Sequence, residues 1–559
     1  MGLHSLANPV RVTCIGFKLR IQGVTGRMAS TAAAGSGVPA DAKTFLGHPR
    51  GLYMLFFAEM WERFSYYGMR AILIFYLTKH FLFDKDPAYA VYGAYTSMVY
   101  ITPVIGGYLA DRYLGARKAV LAGGIFIAIG HLMIALVEGP SGEHGFYLNG
   151  FYLGLAFIIV GTGFLKANIS VLVGQLYPRQ DVRRDGAFSI FYMGINLGAF
   201  IGPILVGYLG ERVGWSYGFG AAGIGMLLGL VVFVLFRREL HGAGAPADPA
   251  LLGARTGAGI SREWLIYLGG VAAVGVSFLL LRDKDLVGGI LSVFWLLVVG
   301  FILYRAVFTL PRVDRHRIFA ALYLIALCPL FWALFEQAGS SLNVFTDERV
   351  DRHIFGWEMP ASWFQSVNSF WIITLAPLFA VLWTWLGKRG LEPSAPLKFA
   401  LGFIQIGLGF LVLVAGAGTG GEMTPMIFVI LLYLLHSTAE LCFSPVGLSS
   451  MTRLSVGSMV GLMMGTWFLS TAAGNFLAAK IAQATGGEGV DADHVLQVYQ
   501  SIGWYIIVIG VVAIPVSWLI KKLMHLDTIG RDQAGHGLAG ESQLAEPAAP
   551  GTRTTNETL

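Results

Sequence analysis

The chain has 559 residues, of which 55% are hydrophobic and only 13% charged, with a formal net charge of +6. A soluble protein carries about a quarter charged residues, so this composition excludes an ordinary soluble globular protein. Apolar runs of about 20 residues, enough to cross a hydrocarbon core of about 30 Å, recur along most of the sequence. With no water to satisfy backbone polar groups there, such runs must be helices. The positive charge does not point to a nucleic-acid partner. Lys and Arg gather in short loops between apolar runs, which is the topology signal of a membrane protein.

Residues 1–48 read as a flexible N-terminal extension. Arg11, Lys18, Arg20 and Arg27 interrupt every apolar stretch, so no signal peptide is expected. Met28, followed by Ala/Gly/Ser-rich sequence, is a candidate start. Fourteen spans follow, at 50–79, 87–110, 116–138, 146–170, 186–207, 215–237, 262–281, 286–307, 317–339, 362–386, 396–417, 424–446, 456–481 and 500–524. An even number puts both termini on one side. Arg112, Arg117 and Lys118 follow the second span, and Arg179, Arg183 and Arg184 the fourth. Arg237, Arg238, Arg255 and Arg262 follow the sixth, and Arg305, Arg312, Arg315 and Arg317 the eighth. The intervening loops hold far fewer, and Gly139–Gly145 and Gly416–Glu422 hold none. Both termini are therefore expected in the cytoplasm.

A Gly/Ala/Pro-rich linker, Gly242–Gly259, separates spans six and seven, and the next pair is nearly free of buried charge. This divides the chain into a six-helix bundle at 49–237, a linker with two extra helices at 238–310, a second six-helix bundle at 311–525, and a disordered cytoplasmic tail at 526–559. The expected fold is an all-α integral membrane protein with fourteen transmembrane helices. It has the six-plus-six, two-bundle layout of the major facilitator class, in which substrate binds near the midplane between the halves. Cys14, Cys328 and Cys442 have no metal-ligand or disulfide spacing. No metal and no cofactor is expected.

Seven ionisable residues fall well inside spans: Glu59, Glu62, Arg63, Arg70, Lys166, Glu336 and Glu440. Each costs about 2.5–3.5 kcal/mol at the bilayer centre on insertion scales, so each is expected to face a wet cavity or another charge. Glu59, Arg63, Tyr66 and Arg70 recur at i, i+4, i+7 and i+11, which places them on one helical face. That stripe would line a polar cavity. The structural alternative is an ion-pair ladder holding the first span to its neighbours.

The segment Glu59-Met60-Trp61-Glu62-Arg63-Phe64-Ser65-Tyr66-Tyr67-Gly68 resembles the Glu-x-x-Glu-Arg-Phe-x-Tyr-Tyr-Gly motif of the proton-dependent oligopeptide transporter family. Gly106–Val120 is similar to the loop signature of that family, and Phe188–Phe200 to its fifth-span signature. The resemblance runs over about 50–525, and bacterial members also carry an extra helix pair between the halves. Mammalian members have a histidine in the second span; this chain has none there, so coupling would rest on carboxylates and Lys166.

The resemblance implies a symporter that imports di- and tripeptides with protons across a bacterial inner membrane. Its partners would be small peptides, protons and the bilayer, and it would be a monomer and not an enzyme. Arg63 and Arg70 suit a peptide carboxylate, since guanidinium offers bidentate geometry; the alternative is pairing with Glu59, Glu62 or Glu336. Glu440 is the candidate for the peptide ammonium, with Ser444 one turn on; the alternative is a pair with Lys166. Lys166 is expected to couple with Glu59 and Glu62, or merely to neutralise them. Glu336 is expected to pair with Arg70 as a gate. Tyr66, Tyr67, Tyr95, Asn196, Trp332, Asn368 and Trp467 complete the expected pocket. Competing readings are transport of nitrate or a modified amino acid, and a peptide sensor without transport.

Overall fold

The computed structural model describes residues 43–526 except 179–180, 182, 256, 258, 418, 420, 422, 457–458 and 487–491. Residues 1–42, including Cys14 and Met28, lie outside the described residues, as do Arg179, Glu422 and the tail after Leu526.

The spans fold into α1 (Arg50–Phe75), α2 (Lys85–Leu109), α3 (Ala116–Leu136), α4 (Phe146–Gln175), α5 (Arg184–Tyr208) and α6 (Trp215–Leu235). A short α7 (Pro249–Gly253) precedes the inserted pair α8 (Arg262–Arg282) and α9 (Lys284–Phe308). Then come α10 (Arg312–Phe335), a short α11 (Ser341–Arg349), α12 (Gln365–Lys388), α13 (Ala395–Ala417), α14 (Met426–Leu454), α15 (Val460–Thr485) and α16 (Ala492–Leu523). Wide π-helical turns at Tyr76–His80, Ala110–Leu114 and Leu209–Val213 extend α1, α2 and α5.

Eleven helices among the described residues are long and apolar enough to cross a membrane, so the chain is a multi-pass membrane protein. The helices α1, α2 and α15 are as long, at 26, 25 and 26 residues, but polar side chains lower their apolarity. Several helices overshoot the spans read from hydropathy: α4 has 30 residues and α16 has 32, about 45 Å and more at 1.5 Å per residue. Their ends stand outside a core of about 30 Å. The span expected at 317–339 stops early. α10 ends at Phe335, and Glu336–Gly339 forms a tight 3-10 turn. A side chain at Gly339 would overlap the Tyr92 hydroxyl, so a larger residue here would push that ring away from Arg70.

Within the first six long helices α1 packs on α5 and α6, α3 on α4 and α6, and α2 on α4. Within the last six α13 packs on α14 and α16, and α10 on α14, α15 and α16. Two seams join the sets, α2 with α15 and α5 with α12. The inserted pair straddles one seam, α8 against α4 and α2, α9 against α15, α10 and α2. Trp295 of α9 donates to the Ser470 hydroxyl of α15 at 2.8 Å. One apolar core draws only on residues 52–240 and another only on 302–524, while a third is built mainly from residues 64–291. Cys328 and Cys442 are buried free thiols.

Backbone contact decides the α1–α5 packing. A Cβ at Gly198 would sit 2.2 Å from the Met60 carbonyl and 2.9 Å from Arg63 Cβ. Overpacking of this kind costs about 1–3 kcal/mol. Gly198→Val is therefore expected to lower the melting temperature in detergent by several degrees, read by tryptophan fluorescence; an unchanged melt would contradict this packing.

Candidate functional site

A cavity of about 170 Å³ lies between the two sets of helices. One buried water needs only about 10–15 Å³ on the same measure, so this space takes many waters or a small solute. α1 turns Arg63, Tyr67 and Arg70 to it, α2 Tyr100, α4 Lys166 and α5 Asn196. From the other set come Trp332 and Glu336 at the end of α10, Asn368 of α12, Glu440 and Ser444 of α14, and Trp467 of α15. Sequence-expected residues from seven helices thus share one wall.

Four expected residues stand behind that wall. Glu59 accepts a bond from Arg63 Nε at 2.7 Å, and Glu62 lies 3.1 Å from the same nitrogen. Both carboxylates are 1% exposed. They hold the guanidinium from the protein side while it faces the cavity. Tyr66 and Tyr95 are buried, and their hydroxyls find no partner among the described residues. Here the expected stripe needs correction. Tyr67 rather than Tyr66 continues the face begun by Arg63, at i, i+4, i+7, and on α2 the tyrosine that reaches the cavity is Tyr100. Five residues turn an α-helix by about 500°, so Tyr95 points elsewhere.

Tyr100 was missed because an aromatic in an apolar run carries no signal of its own. Its ring lies 3.6 Å from the Lys166 ammonium, a cation–π contact that strengthens when desolvated. Lys166 makes no ion pair with any described residue. His436, left without a role from sequence, also lines the cavity, and its Nε2 lies 3.2 Å from the Ile406 carbonyl. Gln365 joins the wall as well; its Nε2 has no acceptor among the described residues.

The Arg70 guanidinium pairs with Glu336 across the two sets, and its Nε donates to the Tyr92 hydroxyl at 2.6 Å. Asn368 Nδ2 donates to Glu440 at 3.1 Å and to Ser437 at 3.0 Å, which fixes the Glu440 carboxylate. Around the cavity three cations (Arg63, Arg70, Lys166) meet four carboxylates (Glu59, Glu62, Glu336, Glu440). Fully ionised, the set carries one surplus negative charge. The arrangement can therefore bind a dipolar solute and, equally, one extra proton.

On the face holding the α1–α2 and α5–α6 turns, further ion pairs cross the seam: Lys79–Asp347 at 2.6 Å, Lys85–Glu348 at 2.7 Å and Arg212–Glu358 at 3.1 Å. On the opposite, more basic face Lys118–Glu263, Arg183–Asp181 and Lys398–Glu392 form without joining the first six long helices to the last six.

Comparison with known proteins gives this chamber a context. The family model described as "PTR2: POT family" matches residues 117–243 and 297–496. The chain belongs to the POT family. As a member it is a transporter, not an enzyme. Relatives of the POT chain include the uncharacterized transporter YclF of Bacillus subtilis (strain 168), 40% identical over 493 residues, covering 86% of this chain and 96% of the relative. The peptide transporter YePEPT of Yersinia enterocolitica is 36% identical over 522 residues, covering 88% and 98%. Among solved structures, a peptide transporter POT in complex with sulfate is 36% identical with a TM-score of 0.74, covering 88% of this chain and 98% of that one. A POT family transporter in complex with 5-aminolevulinic acid is 33% identical with a TM-score of 0.74, covering 86% and 98%.

The buried Arg70–Glu336 pair has a thermodynamic signature. Removing one partner of such a pair costs about 3–5 kcal/mol, while replacing both is close to neutral. Arg70→Met and Glu336→Leu are each expected to lower the melting temperature, and the double variant to recover most of the loss. Additive losses would contradict the pairing.

Proposed function

We propose that the chain is a proton-coupled symporter that imports di- and tripeptides across a bacterial inner membrane by alternating access. The observation that carries this reading is the charged cavity between the two sets: Arg63, Arg70 and Lys166 on its α1–α4 side, Glu440 on its α14 side. A short peptide is a zwitterion with a variable middle. Its carboxylate suits the guanidiniums, its ammonium suits Glu440, and Tyr67, Asn196, Trp332, Asn368, Ser444 and Trp467 would hold the rest loosely.

We read fourteen crossings, with α1, α2 and α15 added to the eleven apolar spans, because their polar residues turn toward the cavity and the seams. The bundles are 49–237 and 311–525, with the inserted pair at 238–310 between them. Loop charge favours the basic face as cytoplasmic, with both termini on that side. Ion pairs crossing the seam on the other face favour a state closed outside and accessible from within.

Coupling follows from the charge count. A peptide arriving at Arg70 competes with Glu336 for the guanidinium, and a buried Glu336 left without its partner is costly. Protonating it, or passing a proton among Glu59, Glu62 and Lys166, removes that cost, so the latch releases when peptide and proton are both aboard.

Proteoliposomes test this directly. An inward pH gradient is expected to drive accumulation of intact dipeptide. Glu62→Gln and Lys166→Ala are expected to lose driven uptake while keeping some counterflow; unimpaired driven uptake in both would overturn the coupling assignment.

One observation favours a second reading. The neighbour solved with 5-aminolevulinic acid holds a solute with an amine and a carboxylate, and the same end-clamps suit such a molecule. For a peptide carrier, a dipeptide should compete with labelled dipeptide at least about tenfold better than this amino acid does, which is about 1.4 kcal/mol. The reverse order would favour the second reading.

A further inference from the structure

Between α11 and α12 the chain forms a small charged assembly on the face opposite the basic loops. Val350–Asp351 runs parallel to Thr424–Pro425. His353–Ile354 and Trp357–Glu358 make a tight hairpin turned at Phe355 and Gly356, with φ of 50° and 82°. At its root sits Arg352, 7% exposed although it lies in a loop. Its guanidinium donates to the Met359 carbonyl at 2.5 Å, the Asp347 carbonyl at 3.2 Å, Asp347 Oδ1 at 3.3 Å and Glu358 Oε1 at 2.7 Å. The second oxygen of each carboxylate reaches across the seam: Asp347 Oδ2 to Lys79 at the end of α1, and Glu358 Oε2 to Arg212 at the end of α5. The result is an unbroken chain of alternating charge, Lys79–Asp347–Arg352–Glu358–Arg212, whose two ends belong to the first six helices and whose middle belongs to the last six.

The end pairs are half exposed: Lys79 is 45% and Arg212 36% accessible at the side chain. Taken singly, such pairs shift an equilibrium by only about 1.5- to 5-fold, because water screens them and two flexible chains must be ordered. Arg352 removes part of that ordering cost. With both carboxylates already fixed on a buried guanidinium, only the Lys79 and Arg212 side chains remain to be placed. The Arg212 contact also holds the Glu358 carboxyl below the usual carboxylate range, with Arg352 adding to the effect.

We propose that Arg352 is a positioning residue of the outer gate, presenting Asp347 and Glu358 as a preformed pair of acceptors that Lys79 and Arg212 engage when the outer side closes. This rests on the transport reading for its meaning, yet its test needs no substrate. When the gate opens, Arg352 stays with its carboxylates and only the two end contacts break.

The test uses the full chain in lipid nanodiscs, with spin labels at Leu82 and Met423. Both positions are exposed, at 63% and 38%, and they lie on opposite sides of the seam. Pulsed dipolar distances report the outer-open population. Arg352→Gln is expected to raise that population roughly fivefold or more, beyond either Lys79→Ala or Arg212→Ala, each limited to about 1.5- to 5-fold. Arg352→Lys, which keeps the charge but not the fork, should fall between. In the Arg352→Gln background, adding Lys79→Ala should change little. A purely structural role would lower the melting temperature while leaving the Lys79→Ala effect intact in that background, and this overturns the proposal. So does an unchanged distance distribution in Arg352→Gln. Should wild-type proteoliposomes fail to take up dipeptide, the transport reading falls while these distances still decide the gate.

Discussion

Arg70 and Glu336 meet at the interface of the two helix sets, both almost wholly removed from solvent. Neither tolerates isolation there, since an uncompensated buried charge costs several kcal/mol. Much of the surrounding structure serves that meeting. α10 gives way to a 3-10 turn where Glu336 leaves it, Gly339 lets the turn lie against Tyr92, and Tyr92 takes the remaining guanidinium edge. Once made, the pair commits the two sets to one relative position. Once broken, each partner must find a substitute before the sets can separate.

The same constraint governs the rest of the cavity. Arg63 is anchored by two carboxylates that have no access to the solute, Lys166 rests on the Tyr100 ring, and Glu440 is steered by Asn368. Arg63, Lys166 and Glu440 are therefore each held by the protein while lining the cavity. This is preorganisation by partial pairing. A fully paired ladder would be a structural element, and a set of buried charges with no partners at all would be costly. On the proposed reading, the surplus of one carboxylate would make a proton part of the same balance, because peptide zwitterions bring no net charge of their own.

Much of this was legible in the sequence, and the limits have physical reasons. The spans could be read because hydrocarbon tolerates only long apolar helices, and the ionisable residues inside them could be found because each is expensive. Their partners were partly visible at helical spacing, as with Glu59 and Arg63. Rotational phase was not: Tyr66 and Tyr67 are adjacent, and only packing against α5 and α6 decides which one faces the cavity. Tyr100, Gln365 and His436 escaped notice since a neutral polar or aromatic side chain in a helix costs little enough to occur anywhere. The 341–359 segment escaped for another reason. Its charges look like an ordinary solvated loop until folding buries Arg352 among them.

That segment also shows how labour divides across the membrane's depth. At the buried interface of the two sets, Arg70 and Glu336 meet where desolvation makes a single pair strong and makes its breaking dependent on a substitute charge. At the water-facing rim, single pairs are weak, so closure draws on several at once, tied through one buried guanidinium and seconded by neutral contacts such as Trp363 Nε1 to the Ile204 carbonyl at 2.9 Å. On the proposed transport reading, a strong latch alone would respond to the solute but leave the rim free to breathe, and a rim alone would close without sensing it. With the two in series, the buried pair would set when the sets move and the distributed contacts how completely they close.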